Sequence, residues 1–293
     1  MSINKKPLLV KVSLFVATGM LLAACGSETP KEETKTDATV QETSITPAEG
    51  DGVTYTLPSP LQIASIFKKS GLKYKDGVTS QMKDIGKYTT FISRTLNLGV
   101  YSADLSYTIL NKQNQAAMEY MKLSRQVSDN IGIGSVYSEN NIAQRFEKNI
   151  SNMDSLALIV SELQMVTDMF LDENKQQQIT PVVFAGAWIE SLYIASKVFE
   201  NGKDEALNKK ISEQMNILGS IIGALKVEEI KEATIAGLVD DLNIIKNIYD
   251  TLPSVQNNAD SAEEIRRKTV LTNDEVAKLT KKIEELRTKF ING

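Results

Sequence analysis

Residues 182–199 are apolar on nearly every face, and this stretch restricts the fold more than any other. Thr180-Pro181 stands before it, reading as a helix cap followed by proline at the first helical position. A helix that is apolar all round belongs at the centre of a core. The other home for such a helix is a membrane, but Glu190 and Lys197 interrupt the run. Just upstream, Leu156, Ile159, Leu163, Val166 and Phe170 recur at helical spacing behind a cap at Ser151 or Asn152. A polar turn, 172–178, joins the two segments. They therefore read as a helical hairpin at the heart of the fold.

The remaining pattern is helical almost throughout. Ser59-Pro60 opens a helix carrying Leu61, Ala64 and Phe67, which ends at Gly71. Residues 83–110 read as one long or broken helix, with Gly86 and Gly99 as its weak points. Helices over 112–130 and 139–150 follow, separated by Gly132-Ile133-Gly134. That triplet lacks the third glycine and the preceding strand of a dinucleotide site, so it reads as helix termination. Leu207, Ile211, Met215, Leu218, Ile222 and Leu225 mark an amphipathic helix. Val227, Ile230, Leu238, Leu242, Ile245 and Tyr249 mark another. Residues 253–270 are polar and aperiodic, and read as a long connection. Thr272-x-x-Glu275 is a capping box opening a last helix with Val276, Leu279, Ile283, Leu286 and Phe290. Glu285 and Lys289 are placed to pair along it. Its heptads are too few to argue a coiled coil, and docking onto its own bundle is the favoured placement over a partner helix. The expected fold is all-α: an antiparallel multi-helix bundle around a central apolar helical hairpin.

The N-terminal region has a different character. Lys5, Lys6 and Lys11 are followed by an apolar run of 13 residues, 12–24. A membrane-spanning helix needs about 20 residues, so this length suits a secretory leader instead. Leu22-Ala23-Ala24-Cys25 closes the run and resembles the lipobox of bacterial lipoproteins. The resemblance implies that Cys25 is lipidated after cleavage before it, which anchors the chain in a membrane through its acyl chains. Gly26 follows where an Asp would favour inner-membrane retention, so the outer membrane is expected, on its periplasmic face rather than the cell surface. Residues 26–56 are poor in apolar side chains and rich in Thr, Glu, Lys, Pro and Gly. Such a segment reads as a disordered tether spanning about 30 Å. Only a short strand at 52–56 stands out in it. The expected organisation is a leader over 1–24, a lipidated cysteine with its tether over 25–56, a helical domain over 57–252, and a connection with a C-terminal amphipathic helix over 253–293.

Composition narrows the chemistry. The leader holds three of the 33 basic residues and no acid, so the remainder carries 30 basic against 37 acidic side chains, or −7. An acidic surface is unsuited to neutralising nucleic-acid phosphates. There is no histidine, which excludes histidine bases, triads and ligands. The single cysteine is assigned to lipid, which removes thiol catalysis and thiolate metal sites. No metal site and no cofactor are expected.

Two constellations stand out against this background. In the segment 184–193, Phe184, Trp188 and Leu192 share one face while Gly186, Glu190, Tyr193 and Lys197 share another. One reading is plain core packing with a satisfied polar contact. The other is a pocket where Trp188, Glu190 and Tyr193 meet a ligand. The second constellation is Tyr101 and Asp104, one turn apart among apolar positions of a long helix. A carboxylate there must be paired or exposed. Arg145 is the partner expected on charge placement, as a structural ion pair rather than a catalytic acid.

Three stretches together resemble a group of uncharacterised helical lipoproteins of Bacteroidota. They are Leu57-Pro58-Ser59-Pro60-Leu61, the run from Leu96 through Gly99 and Tyr101 to Leu105, and Gly186-Ala187-Trp188-Ile189-Glu190. No activity attaches to the resemblance. The functional expectation is a lipid-anchored helical protein of the cell envelope that binds or scaffolds an unidentified protein or small molecule. The alternatives are a carboxylate-dependent enzyme on envelope polymers and the ligand-sensing part of an envelope complex.

Overall fold

A computed structural model describes residues 48–50, 53–55, 57–81, 85–199, 205–227, 233–258 and 269–293. Cys25, the leader and most of the expected tether lie outside the described residues, as does 259–268 of the expected connection. Apart from one short antiparallel hairpin, β1 (Ala48–Gly50) and β2 (Val53–Tyr55), the described elements are helical. They are α1 (Pro60–Lys69), α2 (Phe91–Leu110), α3 (Asn114–Asn130), α4 (Ile142–Lys148), α5 (Met153–Glu173), α6 (Ile179–Phe199), α7 (Glu205–Met215), α8 (Leu218–Val227), α9 (Ala233–Asp250), α10 (Pro253–Gln256) and α11 (Asn273–Asn292).

Local chemistry sets most of the helix ends. Ser59 caps α1 and shares a reciprocal capping box with Gln62, with Pro60 at the first helical position. Thr272 and Glu275 form the box expected at α11. Asn152, rather than Ser151, caps α5 by accepting from the Ser155 amide at 3.0 Å. Helix α3 ends through Gly132 at φ +84°, and the Ile133 amide turns back onto Ser128 O at 2.9 Å. Some boundaries differ from the sequence pattern. Helix α2 starts at Phe91, because Thr90 and Ser93 cap it there. Helix α6 starts at Ile179, so Thr180 lies in the first turn and Pro181 costs no intrahelical bond. The stretch read as one helix across 207–225 breaks in a turn at Asn216-Ile217. The connection expected over 253–270 begins with a helical turn, α10, initiated by Pro253. Glu285 and Lys289 do not pair; Lys289 reaches Asp241 on α9, and Glu285 takes Lys282.

The centre of the fold is α6, as its composition predicts, but its principal partner is α2 and not α5. Helix α6 is long and apolar enough to cross a membrane, yet 83% of that stretch is buried inside the protein. The two central helices touch backbone to backbone. A Cβ on Gly99 would lie 1.9 Å from Val183 O, and one on Gly186 would lie 2.1 Å from Leu96 O. Gly99 is thus a contact point and not a weak point in α2. Contacts then advance along both helices in one direction. Leu96 meets Gly186, Asp104 meets Glu190, and Lys75 bridges the Tyr107 hydroxyl to Lys197 O. The central pair is therefore parallel, joined by a long crossover through α3, α4 and α5. This corrects the expected antiparallel hairpin at the centre. Short turns force sequential helices to be antiparallel neighbours, but burial is decided by which helices present small residues to each other.

The remaining elements cover this pair. Helices α1, α7, α8, α9 and α11 close one side of the core around Trp188, Leu242 and Leu279. Helices α3, α4 and α5 close the other around Tyr101, Val127 and Phe146. Helix α11 lies in the same body, against α6, α9, α2 and α7.

Candidate functional site

The two constellations read separately in the sequence meet as one cluster where α2, α6 and α11 converge. Glu190 on α6 receives two hydrogen bonds from Arg287 on α11, at 2.7 Å from Nε and 2.9 Å from Nη2. The two side chains are 0% and 9% exposed. The Arg287 guanidinium also lies 3.9 Å from the Tyr193 ring centroid, a stacked cation–π contact. Asp104 on α2 is fully buried beside Glu190. One of its oxygens accepts from the Ser80 amide at 3.0 Å. The other meets no donor among the described residues.

Electrostatics explains that unmatched oxygen. Burial pushes the Asp104 carboxyl well above the usual carboxylate range, and the charge of Glu190 pushes it further, against the opposing pull of Arg287 and the Ser80 amide. Two carboxylates this close in a dry site do not both ionise. The Asp104 carboxyl is thus shifted toward its neutral form beside the Glu190–Arg287 pair. Around it, burial raises the hydroxyls of Tyr88, Tyr101 and Tyr120 above the ordinary tyrosine value. Tyr101 stands 3.4 Å from the Tyr88 hydroxyl, and Tyr120 donates to Ser80 O at 2.7 Å. Ser80 is thereby held through both its amide and its carbonyl.

The expected Asp104–Arg145 ion pair does not form. Arg145 binds Glu162 on α5, at 2.7 Å. Asp104 projects from α2 into the interior, while α4 carries Arg145 at the surface, so the two cannot meet. Trp188 is completely buried among core side chains, and its Nε1 finds no acceptor among the described residues. Arg287 was not singled out in the sequence. A basic residue on the apolar side of the last helix, next to Leu286 and one turn before Phe290, is the signal that marks it.

The open site lies elsewhere. A cavity of about 110 Å³ sits between α1, α2, α3, α5 and α6, with a mouth toward solvent. Leu98, Leu105, Leu163, Ile179, Val183 and Phe184 form its apolar walls. It exists because α2 and α3 present small side chains, Ser102, Ser106, Ser124 and Ser128, where larger ones would have filled the space. None of Trp188, Glu190, Tyr193, Tyr101 and Asp104 lines it. Its one charged lining residue is Asp168, whose carboxyl burial pushes up to about 6. The sequence signal for Asp168 is an acid on the ridge Val160, Gln164, Asp168, Leu171 of α5. Among the described residues no three metal-ligating side chains come together.

Comparison with protein-family models, curated proteins and solved structures finds no match.

Proposed function

We propose that this chain is a lipid-anchored binding module of the cell envelope whose helical body holds a small amphiphile in the cavity between α2, α3, α5 and α6. The observation that carries the reading is the cavity itself. It is apolar, it opens to solvent, and it is walled mainly by five helices, with Ile133 and Tyr137 of the connection after α3. Preformed concave sites with apolar walls and few polar groups are the usual form of small-molecule sites. Its volume, about 110 Å³, is below the roughly 150 Å³ of a cavity that accepts benzene, so the buried part of the ligand is a short chain or small ring.

An enzyme using paired carboxylates draws less support. Asp104 and Glu190 are a close carboxyl pair, and both are sealed from solvent at 0% exposure. The cavity brings a single carboxylate to its wall. A second apolar surface fits a binding role: α5 exposes Leu158, Met165 and Met169 on its outer side.

Ligand-observed NMR with a panel of short alcohols, amines and acids tests the reading. Saturable binding to the wild type that disappears in Ser106→Leu, which fills the cavity, is the expected result. Absence of binding by every member of the panel would refute it. The anchor is tested separately: Cys25→Ser is expected to move the protein from the membrane to the soluble fraction.

A further inference from the structure

Three of the hydroxyls that line the cavity have a hydrogen-bonding sense that the structure defines. Ser102 Oγ donates to Leu98 O at 2.7 Å, Ser106 Oγ to Ser102 O at 2.8 Å, and Thr167 Oγ1 to Leu163 O at 2.7 Å. A hydroxyl that spends its proton on its own helix turns only lone pairs outward. Asp168 adds a carboxylate, which when ionised also only accepts. Burial is the sole influence found on that carboxyl, and no described cation or donor offsets it. These three hydroxyls and Asp168 therefore offer acceptors beside the neutral Gln164 and Ser124, and the one negative charge has no partner among the described residues.

A ligand that matches such a wall is all donor, positively charged and attached to a small apolar body. We propose that the cavity binds a short-chain primary alkylamine, its chain against Leu105, Leu163 and Val183 and its ammonium group on Asp168. An ammonium brings three donors and no acceptor. An alkyl carboxylate would meet Asp168 with like charge and find few donors. An alcohol would satisfy the apolar walls but leave the carboxylate without a counter-charge. Chain length is limited by the volume of about 110 Å³, which has no room for a full lipid acyl chain.

This inference rests on the cavity being a binding site, and the test separates the two. Titrations with n-pentylamine, n-pentanol and pentanoate are followed by calorimetry and by ligand-observed NMR at pH 8. At that pH Asp168, raised to about 6, is ionised. The amine, with a pKa near the ordinary lysine value of about 10.4, is protonated. The expected result is that pentylamine binds at least tenfold tighter than pentanol, and pentanoate weaker than both. In Asp168→Asn the amine and the alcohol are expected to bind within about twofold of each other, with pentanol unchanged. Because the substitution removes a buried charge, the variant is expected to fold at least as well as the wild type, which its thermal midpoint checks. If pentanol binds and pentylamine is no tighter, or the preference survives in Asp168→Asn, the amine assignment falls and the binding site stands. If neither pentanol nor pentylamine binds the wild type, both fall.

Discussion

Arg287 and Glu190, 97 residues apart in the chain, hold each other by two hydrogen bonds of 2.7 and 2.9 Å in an almost dry interior. This pair fastens the last helix to the central one. Lys197 and Glu284 at 2.9 Å, and Asn97 Nδ2 on Phe290 O at 2.8 Å, extend the same seam. Removing one partner of a buried pair leaves an uncompensated charge, which costs about 3–5 kcal/mol. Arg287→Ala is expected to lower the unfolding free energy by that amount in urea titrations. The double variant Glu190→Leu/Arg287→Met is expected to recover most of the loss, since neither charge of the pair is then left unmatched.

The upward shift of the Asp104 carboxyl beside Glu190 predicts an asymmetry between two similar substitutions. Asn reproduces a neutral carboxyl: its oxygen accepts from the Ser80 amide and its amide donates to Glu190. Asp104→Asn is therefore expected to cost less than about 1 kcal/mol, the net worth of one ordinary hydrogen bond. Glu190→Gln strips Arg287 of its counter-charge and is expected to cost several times more. Equal losses in the two variants, measured by chemical denaturation, would count against a neutral carboxyl at Asp104.

The contact of α2 with α6 predicts opposite outcomes for chemically identical changes. A methyl group at Gly99 or Gly186 would overlap the facing backbone, and overpacking of this kind costs typically 1–3 kcal/mol or more. Gly99→Ala and Gly186→Ala are expected to be strongly destabilising. At Gly219 in α8 and Gly237 in α9, nothing lies within 4 Å of the added atom. Alanine there is expected to stabilise by about 0.5–1 kcal/mol through helix propensity alone. Thermal midpoints of the four variants check the contrast.

Asp168 makes stability depend on pH with a sign opposite to that of a salt-bridged acid. Its native carboxyl titrates at about 6, while an unfolded Asp titrates at about 3.9. Between these values the native state holds a proton that the unfolded chain has released. Stability therefore falls as pH rises through this window, and it stays lower above it. Asp168→Asn is expected to be more stable than the wild type at pH 8 and to lose that advantage near pH 4. Denaturation curves of both proteins from pH 4 to pH 8 measure the difference.

What the sequence determined by itself is local. Cap residues and proline placed the starts of α1, α5 and α11 to within a residue, because a Ser, Thr or Asn side chain and the first-turn amides are neighbours along the chain. Composition alone put α6 in the interior, because a helix with no polar face has nowhere else to go. The isolated polar residues on apolar stretches, Asp104 and Glu190, were legible as residues needing partners. Their partners were not. Arg287, Ser80 and each other are brought by elements that are distant in sequence, and charge placement pointed Asp104 to Arg145 instead. The choice of α2 as the mate of α6 was equally hidden, since it turns on Gly99 and Gly186 arriving opposite one another. The cavity exists only where Ser102 and Ser106 of α2 face Ser124 and Ser128 of α3 beside Asp168 of α5. Periodicity reports which side of a helix is apolar. Which helix it meets, and whether the meeting leaves a gap, is decided by packing among segments that the chain order does not relate.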